Sequence, residues 1–276
     1  MAFTAKEIVT NFLRDYGLEG LGDWAWSSYI QSGAGDLQSF IQGQLSVELP
    51  KQPLFQARFP AYEALRQQGQ GMTVDQIRNF ESKAEELATR YLGDATMFKD
   101  PQYISKILVG GVRENELEQR FALNRDAATQ APPEVRQALQ QMYGVANVDG
   151  ALTAYYFDPE RALPILTQQY QTAQIAGAAL TQHVEVSQAT AERLQAQGVT
   201  WDQAQQGFRQ VALGKGLEAA GGDAATAEQM TAAAFGDATA QAVVDRARKS
   251  RQAAFSGGGS AAEGQAGVSG LGSTTR

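Results

Sequence analysis

The sequence predicts an all-α protein, built as an irregular multi-helix bundle. Helix N-cap signals recur along the chain, and apolar residues follow many of them at helical spacing. No segment shows the sustained alternation that is typical of a strand, and Asp149-Gly150 leads into a helix-like pattern rather than a hairpin. The bundle is expected to carry an extended N-terminal and proline-rich arm and a C-terminal tail rich in Gly and Ala.

The first predicted helix begins at a capping box. Thr4 and Glu7 have the spacing at which a hydroxyl and a carboxylate satisfy free N–H groups reciprocally, and apolar residues follow up to Tyr16. Thr73 and Gln76 repeat this spacing before an apolar stripe that stops at Gly93, a residue typical of a helix end. Further predicted N-caps, with helices that end near Gly198 and Gly214, are Ser187 and Thr200.

Proline marks the other predicted helix starts, because its fixed φ suits the first turn and its missing N–H costs nothing there. The sites are Asp100-Pro101, Pro132-Pro133-Glu134 and Asp158-Pro159-Glu160. The helix from Pro133 is expected to end at Gly144. The helix from Pro159 is expected to continue through Leu180, with a bend at Pro164.

Composition divides the chain into five segments. They are an N-terminal helical segment (1–44), a proline-containing arm (45–60), a helical core domain (61–220), an Ala-rich helical segment (221–255) and a flexible tail (256–276). Three prolines interrupt helical periodicity in the arm, which is predicted to be either extended or a packed loop. Gly221-Gly222 marks the second boundary. The tail has almost nothing to bury, so we expect it to gain order only from partners.

Composition also limits the chemistry. The chain has no cysteine and one histidine, which excludes disulfides and thiolate catalysis and leaves too few soft ligands for a zinc site. We therefore expect no metal and no cofactor. No signal pattern and no window of about 18 apolar residues is present, so we expect synthesis in a cytoplasm and no integral membrane segment. A net charge of −7 argues against a general nucleic-acid binder.

Three patterns in the sequence resemble catalytic or binding motifs. Glu81-Ser82 matches the acid-serine pair of lytic transglycosylases, but Glu81 is predicted to share a solvated helix face with Glu85 and Glu86. His183 is predicted to be a structural residue at a helix end, where a positive charge meets the helix dipole favourably. The segment 213–216 lacks the first glycine and the Ser/Thr of a phosphate loop, and it is interpreted as a helix terminus. The sequence thus predicts no catalytic residue.

The remaining candidates are interaction residues. Trp24, Trp26 and Tyr29 form an aromatic cluster that is predicted to be either core or a docking surface. Phe55 and Phe59 lie in the proline-containing arm and are predicted contacts. A basic cluster near the C-terminus is predicted to be either a solvated helix end or a contact with DNA or with an acidic partner, and it consists of Arg246, Arg248, Lys249 and Arg251.

About half of the chain, residues 58–207, resembles a family of minor structural proteins of tailed bacteriophages. The segments that carry the resemblance are Ala57-Arg58-Phe59-Pro60, Pro133-Glu134-Val135-Arg136, Tyr143-Gly144-Val145, Leu152-Thr153-Ala154-Tyr155-Tyr156, Ala191-Glu192-Arg193-Leu194 and Gly198-Val199-Thr200. The most specific block is Phe157-Asp158-Pro159-Glu160-Arg161-Ala162. The resemblance brings no catalytic residues with it.

The resemblance implies a virion component that contacts other virion proteins. It leaves open a place in the tail, at the neck, or inside the head as a protein ejected with DNA. We expect a homo-oligomer within an assembly that acts through subunit contacts, with no enzymatic activity. Two alternatives stay open: a peptidoglycan-degrading virion enzyme that acts at Glu81, and a transient scaffold or chaperone that leaves before the particle is finished.

Overall fold

The helices form where the caps and apolar stripes predict them. In a computed structural model, the structure describes residues 4–146, 149–216 and 224–257. Every regular element within these ranges is helical, which confirms the predicted all-α class.

The α-helices vary from short turns to long rods. In the first half of the chain they are α1 (Ala5–Asp15), α2 (Gly22–Ser32), α3 (Leu37–Phe40), α4 (Ser46–Glu48), α5 (Pro53–Arg58), α6 (Pro60–Gln67), α7 (Val74–Leu92) and α8 (Pro101–Val109). In the second half they are α9 (Glu114–Arg125), α10 (Pro133–Tyr143), α11 (Asp149–Tyr156), α12 (Leu163–Thr181), α13 (Gln188–Ala196), α14 (Trp201–Gly214), α15 (Ala227–Ala234) and α16 (Ala238–Gly257). Short 3₁₀ and π-helical turns lie at Glu19–Leu21, Ile41–Leu45, Leu49–Lys51, Thr96–Lys99 and Asp126–Gln130.

The predicted caps are present. Capping boxes close the N-termini of α1, α7 and α14 at Thr4, Thr73 and Thr200. The side chains of Asp100 and Ser187 also accept backbone N–H bonds as predicted N-caps of α8 and α13. At the other end, α7 and α10 stop at glycines in the left-handed conformation, as predicted. Each cap is made by hydrogen bonds within one turn of the helix end. It therefore forms regardless of what the helix packs against.

The helix predicted to open at Pro159 begins instead at Leu163. Residues 158–162 form a turn in which the backbone N–H of Glu160 donates to Asp158 Oδ1 at 3.1 Å. Pro164 therefore lies in the first turn of α12, where its missing N–H has no helical partner to lose, and the predicted bend at that residue loses its basis.

The extended form of the proline-containing arm is wrong. Pro53 and Pro60 each occupy the first turn of a new helix, so they break the periodicity by starting α5 and α6. The segment is part of a core, because Leu45 and Phe55 are each 1 % exposed.

The chain forms two compact units. Unit 1 comprises Met1–Thr129 and Asp149–Leu166, and unit 2 comprises Gln130–Val148 and Thr167–Arg276. This division differs from the predicted segments, because the proposed core domain 61–220 contributes to both units and the first 60 residues belong to unit 1. Segment composition cannot reveal a unit whose second piece returns later in the chain.

Aromatic packing forms the centre of unit 1. The ring centroid of Phe121 lies 4.8 Å from the ring centroid of Phe98 and 4.5 Å from that of Phe157. All three side chains are at most 1 % exposed. Around them α6 packs on α8, α7 on α9, and α9 on α11. Three rings at these separations contribute both buried area and favourable ring geometry.

Unit 2 depends on glycines that allow close approach. Gly177 on α12 faces the start of α10, where an added Cβ would lie 2.9 Å from both the backbone N and the Cα of Val135. Gly207 on α14 similarly admits the ring of Phe235, which lies 5.1 Å from the ring of Phe208. Side chains at these two glycines would displace the backbone of Val135 or the ring of Phe235.

Several predictions fall on residues that the structure does not describe. The Gly221-Gly222 boundary lies outside the described residues. So do residues 258–276 of the predicted tail, whereas its first two residues belong to α16.

We expect Gly177→Ala to lower the free energy of unfolding by about 1–3 kcal/mol, because the new methyl group meets the backbone of Val135. Gly150→Ala is the control, since a Cβ there meets nothing within 4 Å and the position is helical. That control should be neutral or stabilise by up to about 1 kcal/mol. Urea unfolding of both variants measures the difference, and equal midpoints would contradict the close approach.

Candidate interaction surfaces

The predicted aromatic cluster lies on α2 at the edge of unit 1. Trp24, Trp26 and Tyr29 are each half-buried. The ring centroid of Tyr29 lies 5.5 Å from Trp26 and 5.3 Å from the buried Phe40. Tyr29 thus links the core to the surface, and the neighbouring Ile30 is 61 % exposed. The packing of Tyr29 on Phe40 fits the core alternative for that residue, and the docking alternative stays a prediction.

Phe55 and Phe59 are not surface contacts, and their prediction as interaction residues is wrong. Each is 1 % exposed, and their ring centroids lie 5.2 Å apart in unit 1. The helical conformation of the segment turns both rings inward. The Arg58 guanidinium covers the outer side of Phe59, with its Cζ 4.5 Å from the ring centroid.

An apolar groove opens in unit 1 beside these rings. Its volume is about 220 Å³. The groove is lined mainly by apolar side chains of α1, of α4 to α7 and of the turns between them, among them Phe12, Tyr16, Ile41, Leu45, Leu49 and Val74. At its wall the Tyr16 hydroxyl donates to Asp75 Oδ1 at 3.0 Å. The arrangement suits an apolar side chain more than a charged ligand.

Glu81 does not lie on a solvated face, so that expectation is wrong. Its two carboxylate oxygens accept hydrogen bonds from Nη1 and Nη2 of Arg58, each at 2.7 Å. The side chain of Glu81 is 12 % exposed. This bidentate pair fixes α5 to α7, and the pairing leaves neither oxygen of Glu81 directed at open space.

His183 lies at the end of α12, as predicted. Its backbone is left-handed, with φ of 54°, and its carbonyl oxygen accepts a hydrogen bond from Lys215 Nζ. Lys215 follows the last residue of α14, so the segment 213–216 is a helix terminus, as predicted. The lysine cation meets the carbonyl end of a helix, which is the favourable polarity.

The predicted basic cluster lies on α16, and the structure divides it. A Cβ at Gly216 would overlap the Arg251 guanidinium, so Arg251 packs against the end of α14. Arg248 pairs with Asp245 at 3.6 Å. Arg246 and Lys249 are exposed, and neither has an ion pair among the described residues.

A buried arginine that the sequence did not single out organises unit 1. The side chain of Arg120 is 2 % exposed, and its Nη2 lies 2.7 Å from Glu116 Oε1. Its Nη1 donates to the carbonyl oxygen of Tyr156 at 2.6 Å, and its Nη2 donates to that of Arg161 at 2.7 Å. The carbonyl oxygen of Asp158 accepts a weaker third bond at 3.2 Å. Arg120 therefore clamps the turn that precedes α12.

Only a weak sequence signal could have indicated this clamp. Glu116 and Arg120 stand four residues apart on α9, a spacing that usually marks an exposed ion pair. The apolar pattern of α9 is irregular, so the buried side of the helix cannot be identified from the sequence alone.

Among the ranges that the structure describes, no group of three or more His, Asp or Glu side chains is placed to hold a metal ion. In the same ranges no helix is both long and apolar enough to cross a membrane.

Comparison of the chain with protein-family models, with curated proteins and with solved structures gives no match.

We expect Arg120→Met to lower the free energy of unfolding by at least about 3 kcal/mol, because three carbonyl oxygens and Glu116 would lose a buried partner. Arg90→Met is the control, since Arg90 is 54 % exposed and pairs with Glu86 at the surface. It should cost less than about 1 kcal/mol. Equal losses in chemical denaturation would show that the clamp contributes no more than a surface pair.

Tyr103 should make the stability of unit 1 sensitive to alkaline pH. Burial, together with the nearby Asp158, raises the pKa of Tyr103 to about 12, against an ordinary value of 10.0. Because the folded pKa is the higher one, its contribution to stability is complete below pH ~10 and is lost as the pH rises toward ~12. Tyr103→Phe should remove roughly 2 kcal/mol of this alkaline loss. Unfolding curves of both proteins between about pH 9 and 12 test this, and parallel curves would contradict it.

Proposed function

We propose that this protein is a non-catalytic structural component of a tailed-phage virion, either associated with the tail or neck or ejected from the head. It acts through contacts between subunits and with other virion proteins. The observation that carries the proposal is the resemblance of residues 58–207 to minor structural proteins of tailed phages, together with what the most specific block of that resemblance does in the fold.

That block, residues 157–162, consists of architectural residues. Phe157 is part of the central aromatic cluster of unit 1, 5.0 Å from Phe98. Asp158 forms the turn, and its carbonyl oxygen accepts a bond from Arg120. The Arg161 Cζ lies 4.4 Å from the ring centroid of Tyr155. A resemblance built on such residues supports a shared scaffold rather than a shared reaction.

Exposed apolar side chains supply candidate contacts for assembly. Within unit 1 they include Ile8, Ile30, Val47, Leu54 and Ile165, each at least 45 % exposed. In unit 2 Leu213 is 83 % exposed. Single exposed apolar residues are ordinary, but those near the half-exposed tryptophans of α2 and the apolar groove offer a surface that another subunit could cover.

The two alternatives differ in what supports them. A peptidoglycan-degrading enzyme would need Glu81 as an acid in a cleft, whereas both of its oxygens are bonded to Arg58. A transient scaffold would use the same surfaces as a virion component, and only its absence from finished particles separates the two.

We expect peptides of this chain in mass spectra of density-purified phage particles, at a constant ratio to a capsid protein across gradient fractions. A subunit that makes permanent contacts stays in the particle, which is the reason for this expectation. The matched control is the lysate supernatant after particles are removed. Abundance in the lysate together with absence from particles would support the scaffold alternative and contradict the proposal.

A further inference from the structure

Helix α16 concentrates positive charge in a chain that is otherwise acidic. Its 20 residues contain four basic side chains and one acid, Asp245, so the helix carries +3. The whole chain carries −7, and subtracting +3 leaves −10 for the remaining residues. Charge is therefore segregated along the sequence, and α16 carries more positive charge than any other described helix.

All four of these cations are exposed, and two of them lie opposite the buried side of the helix. Ala240, Val244 and Ala247 form the buried stripe of α16, each at most 7 % exposed. Helical geometry places Arg246 and Lys249 on the opposite side, and both are exposed. We name Arg246 and Lys249 the basic face; neither has an ion pair among the described residues.

The N-terminal segment of unit 1 has the complementary charge. Residues 4–51 contain six acids and three bases, a net charge of −3. Asp15, Glu19 and Asp36 are exposed, and in the described part of the chain no cation pairs with any of them. The same segment carries the exposed Ile8 and most of the residues that line the apolar groove, which would add apolar contact area to a docked partner.

We propose that the basic face of one copy docks on the exposed acids Asp15, Glu19 and Asp36 of a second copy. The inference rests on the proposed function, in which subunits act through mutual contacts. At physiological salt the Debye length is about 8 Å, so the local charges at the contact outweigh the net repulsion between two acidic chains. Because the two patches of one chain differ from each other, the contact is head-to-tail. Repetition of such a contact gives either a closed ring or an open filament.

A nucleic-acid partner fits these observations less well. Nonspecific affinity for duplex DNA comes mainly from the number of phosphates that Lys and Arg side chains neutralise. The basic face supplies two cations, and the rest of the chain would repel phosphates.

Sedimentation velocity of the full chain tests the docking. The wild type should form salt-sensitive oligomers at low ionic strength that dissociate at about 0.5 M salt, where screening is nearly complete. Arg246→Glu with Lys249→Glu should weaken association at least about tenfold. Arg193→Glu with Arg209→Glu is the control, because both are exposed arginines of unit 2 and the change in net charge is the same. An equal effect of both pairs would overturn the docking.

A charge swap identifies the second surface. Asp15→Lys with Glu19→Lys should also weaken self-association, and an equal mixture of the two reversed proteins should recover association that neither shows alone. A mixture that stays monomeric would overturn the assignment. So would a wild type that never associates but binds duplex DNA through Arg246 and Lys249. A chain found in particles yet monomeric at every salt concentration contradicts the docking and leaves the proposed function standing. A salt-sensitive oligomer that is absent from particles contradicts the proposed function alone.

Discussion

The arrangement of unit 1 depends on the guanidinium of Arg120. A buried arginine must satisfy its N–H groups or destabilise the fold, and here the partners are backbone carbonyl oxygens of residues 156, 158 and 161. Those residues belong to the piece of unit 1 that returns after residues 130–148 have joined unit 2. The clamp therefore fixes a segment that chain continuity alone leaves free, and the insertion of Phe157 beside Phe98 and Phe121 follows from it.

The same turn determines where α12 begins. Asp158 and the clamped carbonyl oxygens hold residues 158–162 out of helical conformation, so helical hydrogen bonding starts at Leu163. The later residues of α12 belong to unit 2, where the missing side chain of Gly177 admits the backbone of Val135. The start of α12 is fixed by hydrogen bonds to the turn that precedes it. Near the other end of α12, Gly177 allows close steric approach of the backbone of Val135.

The sequence predicts features that depend on residues close together along the chain, and it fails for features that depend on partners far away along the chain. Capping boxes at Thr4, Thr73 and Thr200 act within one turn, and each was identified correctly. The predictions for Pro159 and Glu81 are wrong because each depends on a partner that is distant in sequence. For Glu81 that partner is Arg58, which lies 23 residues away in sequence. The sequence pattern predicted both Phe55 and Arg246 as interaction residues. In the structure Phe55 is buried in the core and Arg246 is exposed.

The resemblance and the proposed docking surface occupy different parts of the chain. Residues 58–207 carry the resemblance, and its most specific block builds the clamped turn. Both sides of the proposed contact lie outside that range, within residues 4–51 and on α16. A scaffold specified by the resembling residues can accept different surface charges at its two ends without loss of its core, because exposed charges contribute little to stability. The proposed docking can therefore depend on the proposed function for its premise and still use residues outside the range that carries the resemblance.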